Sequence, residues 1–244
     1  MSRHPLPYST GPLTFREYGL QRAFRLLRTS NFEELYTPFF QSTAPYVTTQ
    51  FWDVANDIVG GGSITSLSTA PTQVGGGLRC TTGAANNAES RAFTPGFLVA
   101  AMCGASGWMA RVRLQPITAV AARQRFALQL GDSKAEVSLG VHGASVTGGS
   151  ATKFSMIKKD SGNVDRAGAT STISLDLNPH VLEIWHPVGD ANIYGSVDHE
   201  PALSMSGADM ANGKGQFLCG AECGADAAAY TVDLFEAQII IVRP

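Results

Sequence analysis

The chain has few charged residues, little cysteine and no long apolar run. Charged residues make up 16% of its 244 positions and sum to −2, with a pI near 6.2. Such a chain lacks the basic surface that attracts nucleic acid or anionic membranes. No apolar run approaches the roughly 20 residues of a membrane-spanning helix. The opening MSRHPLPYSTGPLTFREYG also lacks the apolar core of a signal peptide. We therefore expect neither a membrane nor a nucleic acid as partner, and synthesis in a cytoplasm without signal-peptide export.

Motifs for cofactors and for several catalytic classes are missing as well. The sequence contains no Gly-x-Ser-x-Gly, no His-Glu-x-x-His and no Gly-rich phosphate-binding loop. Its four cysteines are Cys80, Cys103, Cys219 and Cys223, and they lack the tightly paired spacing of zinc ribbons. We expect free, buried thiols, with a zinc site as the alternative, and no cofactor.

What the sequence has instead is glycine, at 26 positions, and short runs in which apolar and polar residues alternate. Alternating runs between Gly, Ser, Asn and Asp are typical of strands, and no long helical pattern separates them. We therefore predict an all-β, antiparallel, jelly-roll-type β-sandwich. The predicted strands are Ser63–Leu67, Gly77–Thr81, Ala88–Phe93, Trp108–Leu114, Arg125–Leu130, Ala135–Val141, Lys153–Lys158, Ser171–Asp176, Val181–Trp185, Asn192–Val197, Gly215–Cys223 and Tyr230–Val242.

The first fifty residues differ in composition from the remainder. They hold five Arg and three Glu without Lys or Asp, a net charge of +2. Early prolines indicate an extended segment, and Thr14–Phe40 has apolar residues at roughly helical spacing. Ser30 and Asn31 offer a cap for a short second helix, NFEELY. We predict an extended and partly helical N-terminal arm over residues 1–50 and a sandwich domain over residues 51–244.

This arm is rich in aromatic side chains that need a surface to cover them. They either pack on the β domain of the same chain or dock onto another subunit, and the arginines and prolines favour docking. The candidate partner-binding residues are Tyr8, Phe15, Arg16, Tyr18, Arg22, Phe24, Arg25, Arg28, Phe39 and Phe40.

The order of the strand runs carries a resemblance. A Trp-headed run, WMARVRL, is followed by RFALQLGD and AEVSLGV, then by the hairpin HVLEIWHPVGDANIYGSVDHEP and a final YTVDLFEAQIIIV. Over roughly Ser63 to Val242 this resembles the concanavalin A-like lectin/glucanase jelly-roll, particularly its laminin-G-like versions. One departure is that His199-Glu200-Pro201 stands where the resemblance implies a glycine after Asp198.

The resemblance implies a test for glycan hydrolysis. Glucanases of this fold carry a Glu-x-Asp-x-x-Glu arrangement, and the chain has none. Asp233 and Glu236 are three residues apart, so regular alternation places them on opposite faces of a strand, and Glu183 stands between apolar neighbours. We therefore expect that the chain is not an enzyme.

The hairpin from His180 to Pro201 holds the candidate ligand residues. Trp185 and Tyr194, with Trp108 and the hairpin-end His186, are candidates for glycan contact, although a Trp in an alternating strand more often fills the core. Asp190, Asn192 and Asp198 are a candidate calcium site at the rim, but turns favour Asp and Asn for backbone reasons. We expect no metal.

An arm followed by a compact sandwich, without a catalytic set, resembles bacteriophage virion proteins in architecture and composition. This implies a non-enzymatic virion structural protein, a capsid decoration protein, head fibre or tail appendage, located in the virion. Its arm would bind a major capsid protein or tail adaptor, and the chain would form a homo-oligomer such as a trimer. The alternative is a carbohydrate-binding module for a host-surface glycan, with glycan hydrolysis the less supported third.

Overall fold

The computed structural model describes residues 32–38, 58–67, 77–85, 88–93, 107–118, 124–131, 136–142, 147–159, 165–207, 216–223 and 229–242. These residues form strands and turns, and none of them belongs to a helix long and apolar enough to cross a membrane. The strands are β1 Phe32–Pro38, β2 Ile58–Val59, β3 Ser63–Leu67, β4 Gly77–Thr81, β5 Glu89–Phe93, β6 Gly107–Pro116, β7 Gln124–Gly131, β8 Glu136–His142, β9 Lys153–Lys159, β10 Asp165–Ser174, β11 His180–His186, β12 Asn192–Val197, β13 Leu203–Ser206, β14 Gln216–Cys223 and β15 Thr231–Val242.

The strands form two antiparallel sheets. The first sheet has the order β13-β12-β11-β6-β15-β4-β3, with β1 also paired to β15. The second sheet has the order β10-β9-β8-β7-β14-β5-β2. Neighbours in each sheet often lie far apart in the sequence, as in the pairing of β6 with β15, which is typical of a jelly-roll. The predicted all-β sandwich is confirmed.

The core lies between the two sheets and is built from every second side chain. Trp108 of β6 meets Phe217 of β14 edge to face, with ring centroids 5.9 Å apart. Leu182 and Ile184 of β11 belong to the same buried cluster. Because side chains alternate along a strand, the residues between these point away from the core. The first sheet therefore has an outer face, and this face carries the candidate site.

The prediction of a short helix at NFEELY is wrong. Residues from Phe32 onward form β1, which pairs antiparallel with β15 from Phe32↔Val242 to Pro38↔Glu236. β4 pairs with β15 only up to Leu234, and the later part of β15 pairs with β1 instead. The backbone hydrogen bonds between β1 and β15 outweigh the weak helix preference of this segment. Part of the predicted arm thus belongs to the first sheet.

The other arm predictions lie outside the described residues. These are the remainder of the predicted Thr14–Phe40 helix and the partner-binding residues Tyr8, Phe15, Arg16, Tyr18, Arg22, Phe24, Arg25, Arg28, Phe39 and Phe40. They stay predictions.

Two of the four cysteines can be placed with their side chains. Cys80 of β4 and Cys219 of β14 are free and buried in the core. Burial, reinforced by the nearby Cys80, raises the pKa of the Cys219 thiol well above its ordinary value. The neutral thiol is a poor nucleophile, so Cys219 acts as a small core residue.

Candidate functional site

The centre of the outer face is formed by two cross-strand rows on β11, β6 and β15. Trp185, Met109 and Ile240 share one row, and Glu183, Arg111 and Gln238 share the next. All six are buried, yet neither Trp185 nor Met109 nor Ile240 belongs to the core cluster between the sheets. We call these two rows, with Tyr194 and His199 beside them, the outer-face site.

Trp185 and Tyr194 form an aromatic pair across β11 and β12. Their rings are stacked with centroids 5.7 Å apart and an interplanar angle of 16°. The Tyr194 hydroxyl donates a hydrogen bond to Asp190 Oδ2 at 3.1 Å, which fixes the ring. Trp185 is buried, as expected for a Trp in an alternating strand, but it lies outside the core cluster between the sheets, where Ile184 takes the inward position. Trp185 is only 1% exposed, so a ligand reaches it only after a local rearrangement.

Glu183 is the ionic centre of the site. Its Oε1 lies 3.4 Å from Arg111 Nε, and its Oε2 lies 3.5 Å from His199 Nδ1. The side chains of Arg111 and Glu183 are 0% and 3% exposed, so solvent screens their attraction weakly. Sequence reasoning missed Arg111 and His199, because only the strand pairing and the following turn bring them to Glu183.

Several buried polar atoms of the site have unused hydrogen-bonding capacity. Trp185 Nε1, Glu183 Oε1 and His199 Nδ1 have no hydrogen-bond partner among the residues that the structure describes. An indole N–H, a carboxylate oxygen and an imidazole nitrogen thus belong to the same outer-face site as the aromatic pair. Buried polar groups are nearly always satisfied, so such a group of exceptions calls for an explanation.

His199 is held by an unusual turn between β12 and β13. Asp198 and His199 have φ values of 47° and 63°, and Glu200 N donates to Val197 O at 3.0 Å. Positive φ at both central residues is a type I′ turn, for which Asn-Gly or Asp-Gly is preferred. A histidine in the left-handed region costs about 1–3 kcal/mol. The strain falls on the residue that faces Glu183.

We expect His199→Gly to stabilise the fold while it weakens the site. Glycine relieves the left-handed strain, and after its own entropy cost the gain is about 0.5–1 kcal/mol. The measurement is the free energy of unfolding from denaturant titration. The control is Asp198→Gly, which relieves the same strain but removes the carboxylate bonded to His180 and Val181 N, and which should destabilise. A His199→Gly protein less stable than the parent would contradict the strain.

His180 lies on the inner side of the same hairpin, between two carboxylates. Its Nδ1 is 2.6 Å from Asp198 Oδ2 and its Nε2 is 2.9 Å from Asp176 Oδ1. Burial lowers the pKa of His180, but the bonds to Asp198 and Asp176 outweigh it and hold the pKa above its ordinary value. Burial raises the pKa of Asp198, and hydrogen bonds from His180 and Val181 N outweigh that, so the net pKa is lowered. The pKa of Asp176 is lowered first by the Asn178 backbone and then by His180.

A β-bulge in β15 overturns the expectation for Asp233 and Glu236. The register shifts between Leu234, opposite Leu114, and Glu236, opposite Arg113, so Phe235 is an extra residue. Leu234 and Ala237 both point into the core. Asp233 and Glu236 therefore lie on the same outer face. Asp233 accepts two hydrogen bonds from Arg79, both at 2.8 Å, and the Arg113 guanidinium lies 5.3 Å from the centre of the Phe235 ring.

The remaining hairpin candidates are separated from the aromatic pair or from one another. His186 points inward, stacks on Trp108 at 6.2 Å and donates from Nε2 to Asp190 O at 2.9 Å. Asp190 also accepts from Asn192 N at 3.0 Å, at one end of the hairpin. Asp198 lies at the other end, against Val181. The described residues contain no group of three or more His, Cys, Asp and Glu arranged to hold a metal ion.

Comparison with known proteins shows likeness in structure alone. No protein-family model and no curated protein sequence matches the chain. A Bacillus licheniformis β-glucanase is similar at a TM-score of 0.56 and 12% identity, covering 84% of this chain and 97% of that one. Lectin I from Ulex europaeus, in complex with the methyl glycoside of α-L-fucose, has a TM-score of 0.53 and 8% identity, covering 87% and 99%. The alginate lyase AlyC3 has a TM-score of 0.53 and 9% identity, covering 68% and 75%.

These neighbours correct the expectation that the chain is not an enzyme. Solved structures with the same architecture include glycan-degrading enzymes, a β-glucanase and an alginate lyase, so the expectation is contradicted. One support of that expectation, the opposite placement of Asp233 and Glu236, is removed by the bulge at Phe235. At these identities the likeness establishes architecture only. The chain has the concanavalin A-like jelly-roll β-sandwich fold.

Proposed function

We propose that the chain binds a glycan at the outer-face site. The observation that carries the proposal is the group of buried polar atoms with unused capacity, Trp185 Nε1, Glu183 Oε1 and His199 Nδ1, beside the stacked Trp185–Tyr194 pair. A sugar ring presents an apolar C–H face and a rim of hydroxyls. The aromatic pair suits the first, and the unused hydrogen-bonding groups suit the second.

Two structural neighbours support this choice of ligand. The Ulex lectin was solved with a fucoside and the alginate lyase with dimannuronate, and both are sugars. Arg111 next to Glu183 places a positive charge on the same face. The site therefore combines ring stacking with charge-assisted hydrogen bonding, which together give orientation and specificity.

The experiment is a titration of the full-length chain against a panel of neutral and uronate oligosaccharides, followed by calorimetry. Long incubation is needed because Trp185 is almost fully buried and a ligand enters only after a local rearrangement. We expect saturable binding to at least one member, reduced in Glu183→Gln and unchanged in Leu177→Ala, an exposed side chain that is not part of the outer-face site. A panel without a binder, or a binder indifferent to Glu183→Gln, would contradict the proposal.

A second candidate is glycan cleavage at the same face. It is favoured by Glu183 next to His199 and by the shared face of Asp233 and Glu236, since paired carboxyl and imidazole groups serve as general acids and bases. The same panel tests it through new reducing ends or unsaturated uronate ends. New ends that disappear in Glu183→Gln would support cleavage. Oligosaccharides that remain intact would contradict cleavage and leave binding as the proposed function.

We also propose that the chain is assembled into a virion through its N-terminal segment. The support is the aromatic and arginine content of residues 1–50 and their net charge of +2 against the acidic remainder. In this proposal the segment binds other virion proteins, and copies of the sandwich project from the particle as a homo-oligomer. β1 is part of the first sheet, so a deletion to residue 50 would damage the fold as well.

We therefore expect the double substitution Arg22→Ala with Phe24→Ala in the full-length chain to prevent incorporation into particles. The substitutions remove one positive and one aromatic side chain and leave the sequence of every described strand unchanged. The measurement is the amount of the chain in purified particles, with Leu177→Ala as the control. Equal incorporation of the double variant and the parent would contradict this proposal.

A further inference from the structure

The β12–β13 turn that carries His199 is bonded to both sheets. Asp198 N donates to Val181 O at 2.9 Å, and Val181 N donates to Asp198 Oδ1 at 2.8 Å. On the other side, Glu200 accepts hydrogen bonds from Thr172 N at 3.1 Å and from the Thr172 hydroxyl. Val181 lies in β11 of the first sheet and Thr172 in β10 of the second. The position of His199 over Glu183 therefore depends on bonds made by its two neighbours in the turn.

His180 completes this support from the inner side. It bridges Asp198 in the turn and Asp176 in the β10–β11 connection, and its ring meets Phe154 edge-on at 4.6 Å. Its side chain is 5% exposed, whereas that of Asp176 is 47% exposed. An imidazole donates from both nitrogens only when it is protonated. Only charged His180 can therefore satisfy both carboxylates.

We propose that His180 is a positioning residue for the outer-face site: clamped between Asp176 and Asp198, it holds the β12–β13 turn so that His199 stays against Glu183, and ligand binding on the outer face therefore requires protonated His180. This inference rests on the glycan-binding function proposed above. His180 does not touch the ligand, since it points to the inner side of the sheet from which Glu183 points outward.

Loss of the His180 proton weakens the hold on Asp198 in either tautomer. If Nδ1 keeps its hydrogen, the bond to Asp198 loses its positive charge and about half its strength. If Nε2 keeps it, the Nδ1 lone pair faces the Asp198 carboxylate at 2.6 Å and repels it. Both outcomes loosen the turn that presents His199.

Other charged and titratable groups lie on the elements next to His180. They are Lys153 on β9, Arg113 on β6, Glu183 on β11, and His199 and Glu200 in the turn. Among the described residues, only Asp176 and Asp198 form hydrogen bonds with the His180 ring. His199 also acts electrostatically on Asp198, so the variant His180→Gln, which leaves His199 and Glu183 in place, is needed to assign a pH effect to His180.

The pH range follows from the direction of each shift. The pKa of His180 is raised, so its contribution is fully present below about pH 6.5 and is lost as pH rises through the folded value. The pKa values of Asp176 and Asp198 are lowered, so their contribution is present above about pH 3.9 and is lost as pH falls through the folded values. The clamp is strongest between these limits.

The test measures glycan affinity of the full-length chain and of His180→Gln between about pH 5 and pH 8. We expect the parent to lose affinity at least about fivefold across this range. His180→Gln should be nearly flat at the parent's high-pH affinity, and His199→Gln should bind weakly throughout. Parent-like pH dependence in His180→Gln would overturn the inference even though glycan binding stood.

A second readout is independent of any ligand. The Cε1–H proton resonance of His199 should show a step at the pKa of His180 in the parent, and the step should be absent in His180→Gln. If no glycan binds but this step is present, the proposed function fails and the positioning role stands. A His199 resonance that ignores the titration of His180 would overturn the positioning role itself.

Discussion

Replacement of Arg111 by methionine is expected to destabilise the fold by about 3–5 kcal/mol. The Glu183 carboxylate is 3% exposed and faces the Arg111 guanidinium at 3.4 Å, so the substitution leaves a buried negative charge without that partner. Solvent does not reach the pair, and the small contribution typical of surface ion pairs does not apply. The measurement is the free energy of unfolding from denaturant titration.

Two further variants make this prediction specific. Arg113→Met changes the same residue type on the same face of β6, but Arg113 contacts the Phe235 ring, so a loss of about 1 kcal/mol or less is expected. The double substitution Arg111→Met with Glu183→Leu removes both charges and should recover most of the stability. A loss for Arg111→Met no larger than that for Arg113→Met would show that Glu183 does not depend on Arg111.

The second large predicted effect is a difference between two tryptophans on neighbouring strands: one substitution lowers glycan affinity and the other lowers stability. Trp185→Ala should reduce glycan affinity by at least about 30-fold, roughly 2 kcal/mol, because it removes the ring stacked on Tyr194 and the unused indole N–H. Trp108→Ala should destabilise the fold by about 3–5 kcal/mol, because it opens a cavity against Phe217 between the sheets. Its remaining folded fraction should bind glycan almost normally.

Phenylalanine variants distinguish a direct loss of glycan affinity from a loss caused by unfolding. Trp185→Phe keeps an aromatic ring and should lower affinity by about tenfold through loss of the donor. Trp108→Phe should lower the unfolding midpoint and leave affinity unchanged. Equal affinity losses at the two positions would indicate a general structural effect and would exclude Trp185 from the site.

Local sequence patterns were sufficient for most of the strands. Ser63–Leu67 and Gly77–Thr81 were predicted with the bounds that the structure has, and the hairpin of β11 and β12 was predicted from its alternation around a Pro-Val-Gly-Asp turn. Alternation depends on residues two apart, and such information is present in any short window. The short strands β2 and β13 lie in segments for which no strand was predicted, because Ile58–Val59 and Leu203–Ser206 are too brief to show a period.

The candidate site was only partly predictable. Trp185 and Tyr194 were recognised as ligand candidates from residue type and hairpin position, whereas Arg111 was missed because it lies 72 positions before Glu183 and reaches it only through the pairing of β6 with β11. From the sequence, His199 was noted only because it stands where the resemblance implies a glycine. Its positive φ and its approach to Glu183 became apparent only with the turn in place.

The sequence by itself determined that the chain forms short antiparallel strands with two distinct faces. Only the tertiary structure decided which face is which. Alternation groups Ile184 with Leu182 and Trp185 with Glu183, but it does not say which group the second sheet will cover. It also assumes an unbroken strand, and the extra residue Phe235 moves Asp233 and Glu236 to one face. Packing and register depend on residues distant in the chain, and the chemistry of the outer-face site depends on both.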